Sequence, residues 1–231
     1  MVGFPLFDHV TLLDFAGATQ IFGFAGGFEA VWLASTIAPV MTTEHVQVLP
    51  SRTFNDPGPI DVLFVPGGGA LGIGQAMFDP DYQGFLKRAA ASAEWCGSVC
   101  TGAFVLAAAR LLDGCRATTY WSQLENLALL SAPMGLEVVT GYPRYVIDGR
   151  HRRFTGGGIS SSIDLALALV SEMDGVDAAR RAQLSSQYAP HPPVTSGDPT
   201  HAPPELTAQV RESQADFTAA IRTSVERLIS I

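Results

Sequence analysis

The sequence predicts an α/β fold: a mostly parallel central sheet sandwiched by helices. Three observations carry that prediction. Short apolar runs such as IDVLFV at 60–65 look like strands buried on both faces. Helical segments alternate with those runs along the chain. The length, 231 residues, suits one domain of this class, large enough to bury a core without disulfide or metal staples.

The elements follow in order. Residues 2–7 are a short apolar strand, and 12–24 (LLDFAGATQIFGF) a helix with Asp14 near its start. Residues 28–35 (FEAVWLAS) are β-rich and apolar, a second strand. An edge hairpin is expected around 45–49, and an Asn/Asp/Pro/Gly cluster at 55–59 breaks the chain. The strand at 60–65 ends in Pro66-Gly67-Gly68-Gly69. A helix at 80–93, a short buried strand at 96–99 and an Ala/Leu-rich helix at 102–112 come next, the last stopped by Asp113-Gly114. A further unit starts at 116–119, with a helix at 122–130 and strands at 136–140 and 144–147. Asp148-Gly149 is a hairpin signal, so 152–155 is the returning strand. Helices at 159–172 and 176–186 precede a Pro-rich irregular stretch at 190–204 and one long amphipathic helix at 205–231. With no repeats and no visible boundary, 1–231 is expected to be one domain with a helical extension from about 203.

Composition excludes several function classes. Apolar residues make up 47% and charged residues 16%, far from disorder. The net charge of −8, with no Lys/Arg cluster larger than His151-Arg152-Arg153, argues against nucleic acid. No unbroken apolar run reaches about 18 residues, so no membrane span is expected. The start, MVGFPLFDHV, lacks the marks of a secretion signal, and the three cysteines (Cys96, Cys100, Cys115) are odd and sparse. Together these predict reduced thiols and a cytoplasmic location. The run GGGALGIG is no dinucleotide fingerprint, because no acidic residue follows at the right distance, and no cofactor is expected. His9, His45, His151, His191 and His201 stand beside no nucleophile in a recognisable pattern and read as surface residues; no His/Cys spacing suits a metal.

The strongest chemical signal is WCGSVCTGAFVLAAA at 95–109. A buried strand runs straight into a helix, with Cys100 and Thr101 at the junction and Gly102 just beyond. Such a turn projects its side chain as a nucleophile elbow does. Helix N–H groups aimed at that point predict a lowered thiol pKa. The plainer alternative is that Cys100 is a small buried hydrophobe. Cys96, inside the strand, and Cys115, in a turn, read as inert. Gly67 and Gly68 end a buried strand, where glycine lets backbone approach a ligand and offer N–H groups to an oxyanion; a flexible turn is the alternative. Asp14 fits either a helix cap or a buried acid that moves protons. Gly157 and Ile159 lie at a strand-to-helix junction, for close packing or for support of the elbow.

SVCTGAFVLAAARLLDGCRATTYW resembles the ThiJ/PfpI superfamily of class I glutamine amidotransferase-like, flavodoxin-like proteins. LLDFAGATQIF, DVLFVPGGG, FTGGGISSSIDLALALV and AQLSSQYAPHPPVTSGDP fall in the matching order, so the resemblance covers nearly the whole chain. Two branches share the pattern: isonitrile hydratases, and the ligand-binding halves of AraC-type regulators, which carry a further DNA-binding region. The chain length and the YAP-PP and SGDP elements of 188–199 favour the hydratase branch. The resemblance implies Cys100 as nucleophile, Asp14 as the carboxyl group that moves protons, and Thr101 as the next elbow residue, giving its N–H and hydroxyl. It implies that the Gly68 N–H faces the sulfur, with Gly67 beside it, that Gly157 and Ile159 pack near the elbow, and that the protein is a homodimer. Tyr120 stands where many relatives have His, which removes a Cys–His dyad and weakens a protease or amidase reading. The implied activity is hydration of an isonitrile to an N-substituted formamide through a cysteine thioimidate. The alternatives are a non-catalytic redox or electrophile sensor and a glyoxalase- or deglycase-like enzyme.

Overall fold

A computed structural model describes residues 1–231. The chain opens with β1 (Val2–Pro5), crosses over through helix α1 (Leu12–Ala25) and returns as β2 (Ala30–Ala34). A separate antiparallel pair, β3 (Val40–Met41) and β4 (Gln47–Val48), precedes the edge strand β5 (Arg52–Thr53). Then come β6 (Val62–Val65), α2 (Ala70–Phe78), α3 (Pro80–Ser92), β7 (Trp95–Ser98) and α4 (Gly102–Ala108). The short β8 (Arg116–Ala117) leads to a 3-10 turn (Trp121–Gln123), α5 (Leu124–Ala128), α6 (Ser131–Met134) and β9 (Glu137–Val138). The hairpin β10 (Tyr145–Asp148) and β11 (Arg153–Gly156) runs into α7 (Ser161–Asp174) and α8 (Val176–Ser185). Helices α9 (Pro204–Ser213) and α10 (Ala215–Ile229) close the chain.

The seven-stranded sheet has the order β10-β11-β7-β6-β1-β2-β5. Only β10 runs antiparallel; the other six strands are parallel. Every residue of β1, β6 and β7 is buried, which is why β6 reads as an unbroken apolar run. On one face Ile73, Phe85, Phe104, Leu127 and Ile221 tie α2, α3, α4, α5 and α10 into a core. On the other, Phe15, Phe22, Leu165 and Leu169 bring α1 and α7 against the sheet. From β1 the strand order runs outward to β2 and β5, and from β6 outward to β7 and β11. The direction of winding therefore reverses between β1 and β6, and open α/β sheets bind ligands beyond the carboxyl ends of strands at such a reversal. The loops after β6 and β7, carrying Gly67 and Cys100, lie at those ends. No helix is long and apolar enough to cross a membrane.

The observed elements depart from the sequence reading at β5 and α6, which no predicted segment covers, and at three helical segments. Helix α2 was not expected, because Gly72 and Gly74 weaken its propensity. Gly72 is there for space: a Cβ would stand 2.3 Å from the Asp8 carbonyl oxygen. Helix α4 ends at Ala108 rather than 112, since Arg110 takes a left-handed conformation (φ 63°). The single terminal helix expected over 205–231 is two helices, broken at Gln214.

Candidate active site

Strand β7 gives way to helix α4 over Val99–Thr101, and Cys100 sits in the turn at φ 54°. A non-glycine residue in this left-handed region costs about 1 kcal/mol or more, so the surroundings must hold it there. The Cys100 N–H donates to the carbonyls of Gly157 (2.8 Å) and Gly156 (3.1 Å), and the Thr119 hydroxyl donates to the Cys100 carbonyl (2.7 Å). The Gly102 N–H closes the turn onto the Val99 carbonyl at 3.0 Å. Gly157 thus grips the elbow through its backbone, and the residue itself contributes no side chain. Cys100 as a whole is 6% exposed.

Asp14 comes from the first turn of α1 and is fully buried. It is no cap: Thr11 occupies that position, and the Asp14 carboxyl points inward. Its Oδ2 accepts the Gly67 N–H at 2.8 Å, while Oδ1 is buried with no partner. A buried acceptor left open costs free energy, which marks this atom for a ligand, water or proton. Gly67 shows how tightly the groups converge. A Cβ there would stand 2.8 Å from Asp14 Oδ2, 2.8 Å from Cys100 Cβ and 2.7 Å from the Thr101 nitrogen. Gly67→Ala is therefore expected to destabilise the fold by about 1–3 kcal/mol and to abolish activity. Chemical denaturation with a turnover assay checks this; a stable, active variant would contradict the crowding.

Burial pushes the Asp14 carboxyl up to about 8, against the Gly67 N–H that favours the ionised form, with Glu44 adding repulsion. Burial likewise pushes the Cys100 thiol well above the ordinary thiol value; Asp14 adds to this, and the Thr101 N–H and hydroxyl offset it only in part. The lowered thiol pKa expected from the helix end is thus not what the structure gives. Helix α4 spans only seven residues, and desolvation of a buried sulfur outweighs the field of its first turn. Near neutral pH the site holds a thiol and a carboxylic acid.

Two further expectations need revision. The Gly68 N–H does not face the sulfur; it donates to the Thr101 hydroxyl at 3.0 Å. That hydroxyl in turn donates to the Gly68 carbonyl at 3.1 Å. Thr101 and Gly68 therefore clamp the β6 and β7 loops together, and the Gly67 N–H is committed to Asp14. The amides of both glycines are occupied, so neither is free for an oxyanion.

Ile159 is 41% exposed and lines a cleft of about 390 Å³ together with Leu13, Thr119, Tyr120, Trp121 and Tyr142. Cys100 adjoins this cleft through Thr119 and Gly157, which line it and bond to the Cys100 backbone. The sequence reading missed Thr119, Trp121 and Tyr142. Thr119 and Trp121 flank Tyr120 in the TTYW string, which was the available signal. The Tyr120 ring packs over Gly158, and its hydroxyl accepts from Gln214 Nε2 at 2.8 Å. Away from the elbow, Cys115, Asp148 and His151 bring a sulfur, a carboxylate oxygen and a ring nitrogen within 4.8 Å of one another.

Comparison with known proteins sets this site in context. The DJ-1/PfpI family model matches residues 1–172. An isonitrile hydratase of Pseudomonas putida is 38% identical over 97% of this chain and 93% of its own length. A ThiJ/PfpI family protein from Pseudomonas syringae, of known crystal structure, superposes with a TM-score of 0.88 at 30% identity, covering 97% of this chain and 89% of that one. DJ-1beta of Drosophila melanogaster superposes at 0.69 with 18% identity, over 82% of this chain and 98% of its own, a likeness of fold alone.

Proposed function

Since the chain belongs to the DJ-1/PfpI family, we propose that it hydrates isonitriles to N-substituted formamides, with Cys100 as nucleophile and Asp14 as proton carrier. The observation that carries this reading is the fully buried Asp14, one oxygen unpartnered, converging with Cys100 on Gly67. The hydratase relative supports the choice of substrate.

The reaction is an addition at a single carbon. Protonated Asp14 gives its proton to the terminal carbon of R–N≡C, which becomes electrophilic. The Cys100 sulfur bonds to that carbon as its own proton passes to the Asp14 carboxylate. The product is the thioimidate R–N=CH–S–Cys100, with Asp14 again protonated. Water then adds to the same carbon, Asp14 relays a proton, and the C–S bond breaks to give R–NH–CHO and the free thiol. The buried pair stays uncharged between steps, so no isolated ion has to be stabilised in the apolar interior. The cleft, lined by Leu13, Ile159 and three aromatic rings, suits the apolar R group.

This scheme fixes the pH dependence. The competent form carries the Asp14 proton, so kcat/KM for p-nitrophenyl isocyanide is flat on the acid side and falls as pH rises through about 8. Formamide absorbance followed across pH tests both points. No turnover by the wild type would end the proposal, and a rate that climbs through pH 8 would point to a resting thiolate instead.

Burial and protonation of Cys100 favour catalysis over sensing, because redox sensors use exposed, low-pKa thiolates. We further assign the enzyme to the cytoplasm as a homodimer needing no cofactor. The three unpaired cysteines and the superfamily resemblance support this, and a solution mass near twice 24.5 kDa tests the dimer.

A further inference from the structure

We propose that Cys115, Asp148 and His151 form a binding site for a zinc-like divalent transition metal, at the end of the sheet opposite the Cys100 elbow. Cys115 immediately precedes β8, Asp148 closes β10 and His151 lies in the turn to β11. Strand β11 starts beside this cluster at Arg153 and ends at Gly156, whose carbonyl accepts the Cys100 N–H. The two sites therefore sit at opposite ends of one strand.

The donor set is one thiol sulfur, one imidazole nitrogen and one carboxylate oxygen, all within 4.8 Å of one another. This mixture suits borderline ions such as zinc and cobalt(II), whereas magnesium and calcium prefer oxygen alone. Ligands around a tetrahedral zinc lie roughly 3.5 Å apart, so the cluster closes on an ion with a movement of about 1 Å.

Burial separates this cluster from a chance grouping of surface charges. Cys115 is 2% exposed and Asp148 6%, while the His151 side chain is one-third exposed and leaves a way in. The carboxylate is held in place: Asp148 Oδ2 accepts the Arg116 N–H at 2.9 Å and meets His151 Nδ1 at 2.9 Å, and Oδ1 accepts the His151 N–H at 3.3 Å. When an ion binds, the two backbone bonds to the carboxylate persist, and the Nδ1–Oδ2 bond gives way to the metal bonds as the neutral imidazole keeps its proton on Nε2. Such outer bonds to backbone orient ligands in metal sites. The Cys115 thiol, by contrast, has only a 3.5 Å contact to the Asp113 carbonyl. Binding releases its proton to solvent as the sulfur–metal bond forms. Thiolate and carboxylate then balance the dication. The Arg153 guanidinium is already engaged by the carbonyls of Leu111 (2.9 Å) and His151 (3.1 Å).

The test is titration of the full-length, reduced protein with cobalt(II) at near-neutral pH, followed by absorbance. The expected result is one equivalent bound, with a thiolate-to-cobalt charge-transfer band that zinc(II) abolishes by displacement. Cys100→Ser keeps the band and Cys115→Ser loses it. His151→Ala, at a partly exposed position that leaves the core intact, binds cobalt at least about tenfold more weakly. Circular dichroism verifies that each variant is folded. A wild type without the band overturns the proposal, as does a band that survives Cys115→Ser, needs Cys100, or binds unchanged in His151→Ala.

Discussion

Cys100→Ser is expected to lose isonitrile hydration by at least about 10³-fold while folding like the wild type. The substitution changes one atom of a small side chain, and the backbone bonds from Cys100 to Gly156, Gly157 and Thr119 do not involve the sulfur. The strained φ of 54° is imposed by those bonds and persists. What disappears is the polarisable sulfur, which alone forms and later releases the thioimidate carbon. A hydroxyl in its place is a far weaker nucleophile, and the apolar interior gives no charge to sharpen it. Cys96→Ser and Cys115→Ser serve as controls and retain turnover. Turnover of p-nitrophenyl isocyanide by all three variants checks this, and substantial activity in Cys100→Ser would move the chemistry elsewhere.

Asp14→Asn is expected to act on activity and stability in opposite directions. Activity falls by about 10²–10⁴-fold, because the amide has no proton to give to the substrate carbon. Stability rises in alkaline solution. The folded-state pKa of Asp14 is about 8, against 3.8 for the ordinary carboxyl. Below about pH 4 folded and unfolded chains both hold the proton. Between there and about 8 the unfolded chain ionises while the folded chain must keep its proton, so stability declines across that window and is lowest above it. Because the group is fully buried, the displacement is on the order of several kcal/mol. Asn cannot ionise and can still accept the Gly67 N–H. Urea unfolding on either side of the window measures the difference: the variant gains on the wild type as pH rises from 5 to about 8.5. An equal gap at both pH values would mean that Asp14 is ionised in the fold throughout.

Much of this arrangement was legible in the sequence. The runs at β6 and β7 and the Cys-Thr-Gly junction identified a buried parallel sheet and its elbow, because strands covered on both faces cannot hide their composition. Asp14 stood out as one acid in an apolar helix, but only tertiary contact separates an inward carboxyl from a cap. The protonation of the site was misjudged for a related reason. Local spacing places a helix end beside Cys100, while the stronger effect, desolvation by both layers of helices, comes from segments far away in the chain. Helix α2 was hidden by Gly72 and Gly74, of which the first is needed where the helix meets the Asp8 backbone. The Cys115–Asp148–His151 cluster was invisible because Cys115 lies 33 residues before Asp148 and meets it only where β8 packs beside β10, while the turn to β11 brings in His151.

The claim at the centre of this account is a covalent bond between the Cys100 sulfur and the isonitrile carbon. Wild-type protein mixed with excess p-nitrophenyl isocyanide, quenched in acid during turnover and digested for mass spectrometry, tests it directly. The peptide bearing Cys100 is expected to gain the mass of one isonitrile, with Cys96 and Cys115 unmodified and no gain anywhere in Cys100→Ser. Steady turnover with no adduct on Cys100, or an adduct on another cysteine that forms as fast as product, would contradict it.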